Sequence, residues 1–497
     1  MSTATDAEPA TMTAAPYVDV HETHTGVVVL VGDRAFKAKK PVLTDFLDFR
    51  TPERRERACR REVELNSRLS PDSYLGVAHL TDPAGGPEEP IVVMRRYHDN
   101  QRLASMVTRD RDGSVAGVLD AIAAVLARFH ERAERGPVIS AQGEAGAIRE
   151  RWRENLAELD RYAGSTLSAE SLASVGRLAD EFLSGRAALF RRRVDDGFIV
   201  DGHGDLLADD IFWAQGEPAL LDCLEFDDEL RYVDCVDDAA FLAMDLEFLG
   251  REDLGDHFLQ RYAAHSGHPT PPALRDFYIA YRAVVRAKVD CVRLSQGKSE
   301  AAADAARHLD IAARRLRGGA VRLALVGGNP GTGKSTLARA LAEQTGAQII
   351  STDDVRRELR ESGVISGDAG VLDRGLYSPD KVATVYEAVL RRARPLLGDG
   401  RSVILDGTWR DPDARAHAHR LASQTHSAIV EFACSATADT AAGRIATRRG
   451  GNSEVTPEIA AALAERRAGW DTAHRIDTSR PVRDSVREAL DAWRRAA

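Results

Sequence analysis

Eight consecutive residues, Gly328-Asn329-Pro330-Gly331-Thr332-Gly333-Lys334-Ser335, have the spacing GxxxxGK[ST]. The chemistry of that pattern is polyphosphate binding. Glycines let backbone N–H groups turn toward the phosphates, Lys334 reaches the outer ones, and the Ser335 hydroxyl, followed by Thr336, sits on Mg²⁺. Downstream, Asp353 in Thr352-Asp353-Asp354-Val355-Arg356 can take the proton from an attacking hydroxyl, or can cap the helix that follows. Asp406, in Asp406-Gly407-Thr408-Trp409, can hold Mg²⁺ through water, contact the substrate, or simply end a strand in a turn. Arg444, Arg448 and Arg449 precede the polar stretch Gly450-Gly451-Asn452-Ser453. An arginine-bearing segment of this kind neutralises charge on a moving phosphoryl group and excludes water, although an arginine run can also be a solvated helix face. A further set lies upstream. His203-Gly204-Asp205 is followed by Asp210 five residues on and by Asp222 seventeen residues on. That spacing fits one Asp that accepts a hydroxyl proton and two later residues that hold Mg²⁺. Lys37 and Glu62 are candidates to pin the inner phosphates, as a strand lysine and a helix glutamate can, although both residue types also abound on exposed strands and helices.

The surrounding sequence sets these residues on elements. Val321–Val326 is an apolar run of the kind that makes a buried parallel strand, and Thr336–Glu343 has helical composition and periodicity. Ala347–Ser351 and Ser402–Leu405 read as further strands, which bring Asp353 and Asp406 to the carboxyl edge of one sheet. In the first part of the chain, Gly26–Val31 and Arg34–Lys40 read as a hairpin turning at Gly32-Asp33, with Lys37 and Lys39 on one face. Glu53–Leu69 reads as the helix that carries Glu62, and Ile91–Met94 as a strand leading to a hinge. Phe198–Val200 and Ala219–Leu221 are short strands that deliver Asp205 and Asp222. The helical stretch Glu300–Arg317 ends at Gly318-Gly319, which places a domain boundary near residue 318.

The segment 320–497 resembles the P-loop kinases related to phage polynucleotide kinase, zeta toxin and chloramphenicol phosphotransferase. The phosphate loop, Asp-Asp-x-Arg after the second strand and an arginine-rich lid occur in the same order. The resemblance implies Asp353 as general base, Arg356 as a substrate or phosphate contact, and Arg444 or Arg448 as the lid arginine. It predicts the reaction and leaves the acceptor open. Residues 17–300 resemble the aminoglycoside phosphotransferase family, through Gly32–Val42, Phe46–Arg50, Cys59–Leu69, Asp201–Ile211, Leu221–Leu249 and Tyr278–Val289. The whole chain is similar to bacterial two-domain proteins that fuse such a domain to a P-loop kinase. The expected fold is therefore an α+β bilobal protein-kinase-like domain followed by an α/β P-loop NTPase domain, a parallel sheet with helices on both faces. The expected limits are a flexible leader at 1–16, a small lobe at about 17–97, a large lobe at about 98–317 and the P-loop kinase domain at 318–497. Two departures stand out: Asp210 replaces the usual Asn, and no clear Gly-rich loop covers the phosphates, with only Gly26 and Gly32 at hand. They predict a slow N-terminal kinase or a nucleotide-binding lobe without turnover.

At 497 residues the chain is too long for one core. A net charge of −10 argues against broad nucleic-acid binding, without excluding a local basic groove. Five scattered cysteines without a CxxC pair read as reduced thiols. The absence of a long apolar stretch or signal peptide points to a cytoplasmic protein with no membrane partner. Near the second Mg²⁺ site, Asp222–Glu229 is densely acidic, and Arg282, Arg286 and Arg293 lie close to one helix face. Four tryptophans, Trp152, Trp213, Trp409 and Trp470, read as packing residues. The expected activity is ATP- and Mg²⁺-dependent transfer of a phosphoryl group to a small-molecule hydroxyl. The competing expectations are a nucleic-acid 5′-hydroxyl kinase with an N-terminal binding module, and an ATP-sensing regulator with little turnover. The sequence carries no signal for oligomeric state.

Overall fold

The computed structural model describes residues 18–22, 26–43, 48–81, 83–367, 374–447 and 469–496. Arg448 and Arg449 lie outside the described residues. Two compact units divide the chain. One comprises Met1–Glu134, Val200–Val233 and Asp245–Gly267, and the other Arg135–Ile199, Asp234–Met244 and His268–Ala497.

In the first unit, strands β1 (Val18–Glu22), β2 (Gly26–Val31), β3 (Arg34–Lys39), β4 (Tyr74–Leu80) and β5 (Glu89–Arg95) form an antiparallel sheet in the order β1-β2-β3-β5-β4. The expected hairpin is β2–β3, with Val28 opposite Lys37. Alternation along β3 turns Lys37 and Lys39 to the same face. The helix Pro52–Ser67 starts on Thr51, whose hydroxyl accepts the Arg54 N–H at 3.4 Å, with proline in its first turn. Arg55, Cys59, Glu62 and Asn66 recur at helical spacing and form its buried stripe. Cys59 on that stripe packs with Tyr74, Val92, Ala219 and Leu221. Burying Val92 or Leu221 stabilises the fold by roughly 1.5–3 kcal/mol each. The same stripe forces Glu62 into the sheet interface. Strand β6 (Ile199–Asp201) leads into the His203-Gly204-Asp205 turn, the hairpin of β7 (Ile211–Ala214) and β8 (Glu217–Leu220) leads into Asp222, and β9 (Tyr232–Asp234) follows.

The second unit joins a helical layer to a parallel sheet. Trp152, Phe182, Phe190, Phe277, Tyr278 and Tyr281 interlock in the helical layer, with Phe182 stacked on Phe277 at 4.5 Å. Arg282 pairs with buried Asp237 at 2.7 Å, and Arg293 with Asp290 at 3.1 Å, so these two arginines are committed to structural pairs. The helix Ala301–Gly318 ends at the glycine pair, and β10 (Arg322–Gly327) begins just beyond it. With β11 (Gln348–Ser351), β12 (Val403–Asp406), β13 (Ala428–Ser435) and β14 (His474–Asp477) it forms a fully parallel sheet ordered β11-β12-β10-β13-β14. On one face Ala324, Val326, Ile404 and Phe432 pack against Leu337, Leu341 and Trp493. The intervening Leu323, Leu325, Val403 and Leu405 are equally buried, so the other face is covered too. The N-terminal part thus has the protein-kinase-like α+β fold and the C-terminal part the α/β P-loop fold. The five cysteines are buried thiols outside any disulfide. Trp152 and Trp409 are core residues, as expected. Among the described residues no helix is long and apolar enough to cross a membrane.

Candidate active sites

The phosphate loop leaves the end of β10 and enters the helix Lys334–Thr345. Gly328 adopts φ 147°, and a Cβ there would lie 2.6 Å from both the Cys434 carbonyl oxygen and the Thr332 hydroxyl, so only glycine fits. The Thr332 hydroxyl donates to the Asn329 carbonyl at 2.7 Å, and the Thr478 hydroxyl donates to the Thr332 carbonyl at 2.7 Å. Arg444 braces this ring, donating to the Thr478 carbonyl at 2.7 Å and to the Gly331 carbonyl at 3.4 Å. A cavity of about 470 Å³ opens here, lined by Gly333, Lys334, Ser335, Arg339, Arg444 and Thr478 among others.

Because β12 runs parallel beside β10, Asp406 ends level with Val326 at the mouth of the loop. The Thr408 carbonyl accepts the Gly328 N–H at 3.3 Å and ties the two turns together. Asp406 is buried, and burial raises its carboxyl pKa, assisted by Asp353; Lys334 and a hydrogen bond from Ser335 oppose the shift. Its Oδ1 is buried without a hydrogen-bond partner. An unpartnered carboxylate oxygen beside a serine hydroxyl is a hard-oxygen donor set of the kind Mg²⁺ takes together with phosphates, so these residues fit the ion.

Asp353 is free of the capping role that its sequence context allowed. Ser351 is the cap of the helix Thr352–Glu361, and its hydroxyl accepts the N–H groups of Asp353 and Asp354 at 3.2 and 3.4 Å. The Asp353 carboxylate instead pairs with Arg356 at 2.8 Å, and the Arg356 guanidinium lies 4.8 Å over the Tyr377 ring. At the carboxyl edge of the sheet Asp353 is near enough to act on Asp406.

The other site is made of side-chain charge. Lys37 Nζ lies 2.8 Å from Glu62 Oε1 and 2.7 Å from Asp222 Oδ1. Lys39 Nζ lies 2.6 Å from Glu62 Oε2 and 2.5 Å from Glu225 Oε1. Burial works to lower the Lys37 pKa, but Asp222, Glu62 and Glu225 outweigh it and hold the amine protonated well above its ordinary value. Burial likewise works to raise that of Glu62, and the two lysines reverse it. Lys37 holds Asp222 below the usual carboxylate range, although that side chain is 46% exposed to solvent. Asp210 moves the opposite way: burial, then Asp222 and Asp205, raise it. Carboxyl groups that repel one another in this manner are a site for a cation. Among the described residues no group of three or more His, Cys, Asp or Glu is disposed to hold a metal unaided. Two carboxylates with nucleotide phosphates suffice for Mg²⁺, and Asp210 and Asp222 fit that requirement.

His203 fixes the turn that carries Asp205. Its Nδ1 accepts the Asp205 N–H at 3.3 Å and its Nε2 donates to the Leu221 carbonyl at 3.1 Å, a tautomer assigned from these partners. Fully buried Arg231 anchors both loops, donating to Asp201 at 2.8 Å, Asp228 at 2.6 Å and the Leu224 carbonyl at 2.9 Å. Arg231, Lys39 as an ion-pair partner and Thr478 were not singled out in the sequence. For Lys39 the signal was present, two residues from Lys37 on one strand; Thr478 meets Thr332 across 146 residues, and Arg231 reaches Asp201 across 30 while its other partners, Asp228 and Leu224, are close in the chain.

Known proteins resemble the chain in whole or in part. The family profile AAA_33, described as an AAA domain, matches residues 323–469. The uncharacterized protein Rv2004c of Mycobacterium tuberculosis is 67% identical over 491 residues, spanning 99% of this chain and 98% of that one. An adenylate kinase of Paracoccus denitrificans is 38% identical over 111 residues, 21% of this chain and 48% of the kinase. Among solved structures, a choline/ethanolamine kinase family protein from Mesorhizobium loti aligns at 18% identity with a TM-score of 0.38, covering 62% of this chain and 92% of that one.

Proposed function

We propose, for a chain that belongs to one protein family with Rv2004c of Mycobacterium tuberculosis, that it is an ATP- and Mg²⁺-dependent phosphotransferase acting on a hydroxyl of a small molecule. The observation that carries this reading is the unpartnered Asp406 carboxylate oxygen set beside Ser335 and Lys334 at the mouth of the phosphate loop. In the P-loop site the backbone of Gly328–Lys334 cradles the phosphates, Lys334 and Arg444 balance the charge that develops on the transferred group, and Asp353 takes the acceptor's hydroxyl proton. The bond from the γ-phosphorus to the leaving β-phosphate oxygen breaks as the bond to the acceptor oxygen forms. Arg356 holds Asp353 in place and offers its remaining N–H groups to the acceptor. Ser335 and Asp406 would hold Mg²⁺, which supplies charge neutralisation at the β- and γ-phosphates when bound.

A second such site uses Lys37 and Glu62 for the inner phosphates, Asp205 for the proton, and Asp210 with Asp222 for Mg²⁺. The domain limits follow the same reading, with the kinase-like part at 17–317 and the P-loop part at 318–497. The test is transfer of labelled γ-phosphate from ATP into a fractionated metabolite extract supplemented with amino sugars and a 5′-hydroxyl oligonucleotide. Wild type, Lys334→Ala and Asp205→Ala run in parallel. A labelled small molecule lost in one variant assigns the acceptor class and the working site. Label on the oligonucleotide, or on water alone, overturns the small-molecule reading.

A further inference from the structure

A cavity of about 400 Å³ lies inside the second unit, walled by the helices Ala169–Gly185 and Pro272–Ser295 and by Ala422–Ala428. It shares no lining residue with the cavity at the phosphate loop. It touches Val321 and Ala428, where β10 and β13 begin, whereas the phosphate loop leaves the far end of β10. The two cavities therefore open at opposite edges of the sheet.

The wall is built around Arg186, which is 1% exposed. Its Nη1 donates to the carbonyls of Thr425 and His426 at 2.5 and 3.3 Å, and its Nε is buried without a partner. Burial pushes its pKa down to about 10, and no neighbouring charge opposes the shift. At neutral pH it is still a cation, without a carboxylate partner among the described residues. Arg322 shows what a finished buried arginine looks like in this unit. Its Nε donates to the Trp493 carbonyl, Nη1 to those of Gly318 and Ala320, and Nη2 to that of Arg317, at 2.6–3.2 Å. All three nitrogens are used. Clamping the chain after the helix Pro412–Gln424 accounts for one nitrogen of Arg186; the Phe182 ring, 5.5 Å from the guanidinium, offsets part of its charge, and Nε is left without an acceptor.

The remaining lining matches an anion with an apolar body. Phe182, Phe277 and Leu178 supply apolar wall, and two further arginines line it as ion pairs, Arg177 with Glu181 and Arg315 with Asp276 at 3.1 Å. The lining carboxylate, Glu181, is engaged by Arg177 at 2.8 Å. At Gly185 a Cβ would lie 2.3 Å from the Thr425 carbonyl oxygen, so glycine permits the close approach that sets Arg186 against that loop. His426, also in the lining, holds a left-handed φ of 44°.

We propose that this cavity binds a small organic oxyanion, with its phosphoryl or carboxylate head on the Arg186 guanidinium and its apolar body against Phe182 and Phe277. The site is separate from both phosphotransfer sites and stands whether or not either of them turns over. The experiment is calorimetric titration of the full-length Lys334→Ala chain, which lacks the phosphate-loop ammonium, with phenyl phosphate and with benzoate; binding is assigned to this cavity by its loss in the Arg186 and Arg177 variants, since the loop's backbone donors remain. At least one probe should bind saturably, and which one does identifies the head group. Arg186→Gln should weaken that binding roughly ten- to a hundredfold, as loss of a charge-assisted contact does. Arg177→Glu should weaken it several-fold, and its 55% exposed side chain makes the change tolerable to the fold even if Arg186→Gln does not fold. Absence of saturable binding by both probes, or affinity unchanged in Arg177→Glu, overturns the proposal.

Discussion

The two proposed phosphotransfer sites would solve the same electrostatic problem with different materials. Around the phosphate loop the groups facing the ligand are backbone N–H donors, fixed by glycines and by the ring of Thr332, Thr478 and Arg444. In the kinase-like part the positive charge resides on Lys37, already engaged by Glu62 and Asp222, and next to it Lys39 is engaged by Glu62 and Glu225. A backbone cradle needs no rearrangement to receive phosphates. A closed ion-pair cluster must exchange one carboxylate for phosphate oxygen before it can act. The comparison teaches why the first site should be the more tolerant of surrounding charge and the second the more sensitive to it.

The sharpest way to break this comparison is Lys334→Ala, which should abolish nucleotide use at the P-loop site while the melting temperature stays near that of the wild type. Next, Asp353→Asn should lower kcat at that site by about 10²–10⁴-fold with the KM for ATP little changed. Steady-state kinetics decide it, and an unchanged kcat would leave Asp353 with only its ion pair to Arg356. In the charged site, Glu62→Gln removes the carboxylate shared by two buried lysines and should cost about 3–5 kcal/mol of stability in chemical denaturation, toward the lower end because Asp222 and Glu225 remain as partners. The same change made in a Lys334→Ala background should leave stability loss unaltered, since the two sites share no residue.

The smallest effect is on pH. Folding raises the Asp210 pKa, so its protonated form favours the empty fold. That contribution is complete below the ordinary carboxylate value of about 4 and is lost as pH rises through the elevated one. Binding of Mg²⁺ and nucleotide runs the other way, because it requires the carboxylate. Affinity for a non-hydrolysable ATP analogue in Lys334→Ala should therefore fall about tenfold per pH unit below the Asp210 pKa, and Asp210→Asn should flatten that slope. A flat profile in the unsubstituted site would mean that Asp210 takes no part in binding.

How much of this was legible in the sequence follows the range over which each feature is decided. The phosphate loop was legible because its glycines, lysine and serine act within eight residues, and the parallel strands because their apolar runs are continuous. The β2–β3 hairpin and the inward Glu62 followed from period-two and helical alternation. Asp353 illustrates the limit: Thr-Asp ahead of an amphipathic run fitted a cap as well as a base, and the structure gives the cap to Ser351, two residues earlier. The bracing of the phosphate loop by Thr478, 146 residues from Thr332, leaves no local trace in the sequence. Nor does the half-used guanidinium of Arg186, whose partners are carbonyls 239 and 240 residues away.

Arg322 bears on how this chain could have been assembled from, or returned to, separate proteins. Two of its four carbonyl acceptors, Arg317 and Gly318, belong to the helix before the glycine pair, although Arg322 itself opens the P-loop sheet. A gene cut at the evident seam, between Gly318 and Gly319, would hand the downstream protein a buried cation stripped of half its acceptors. A split placed upstream of Ala301 would keep those acceptors with Arg322 but would tear the helix Ala301–Gly318 from the helix Pro272–Ser295 against which it packs.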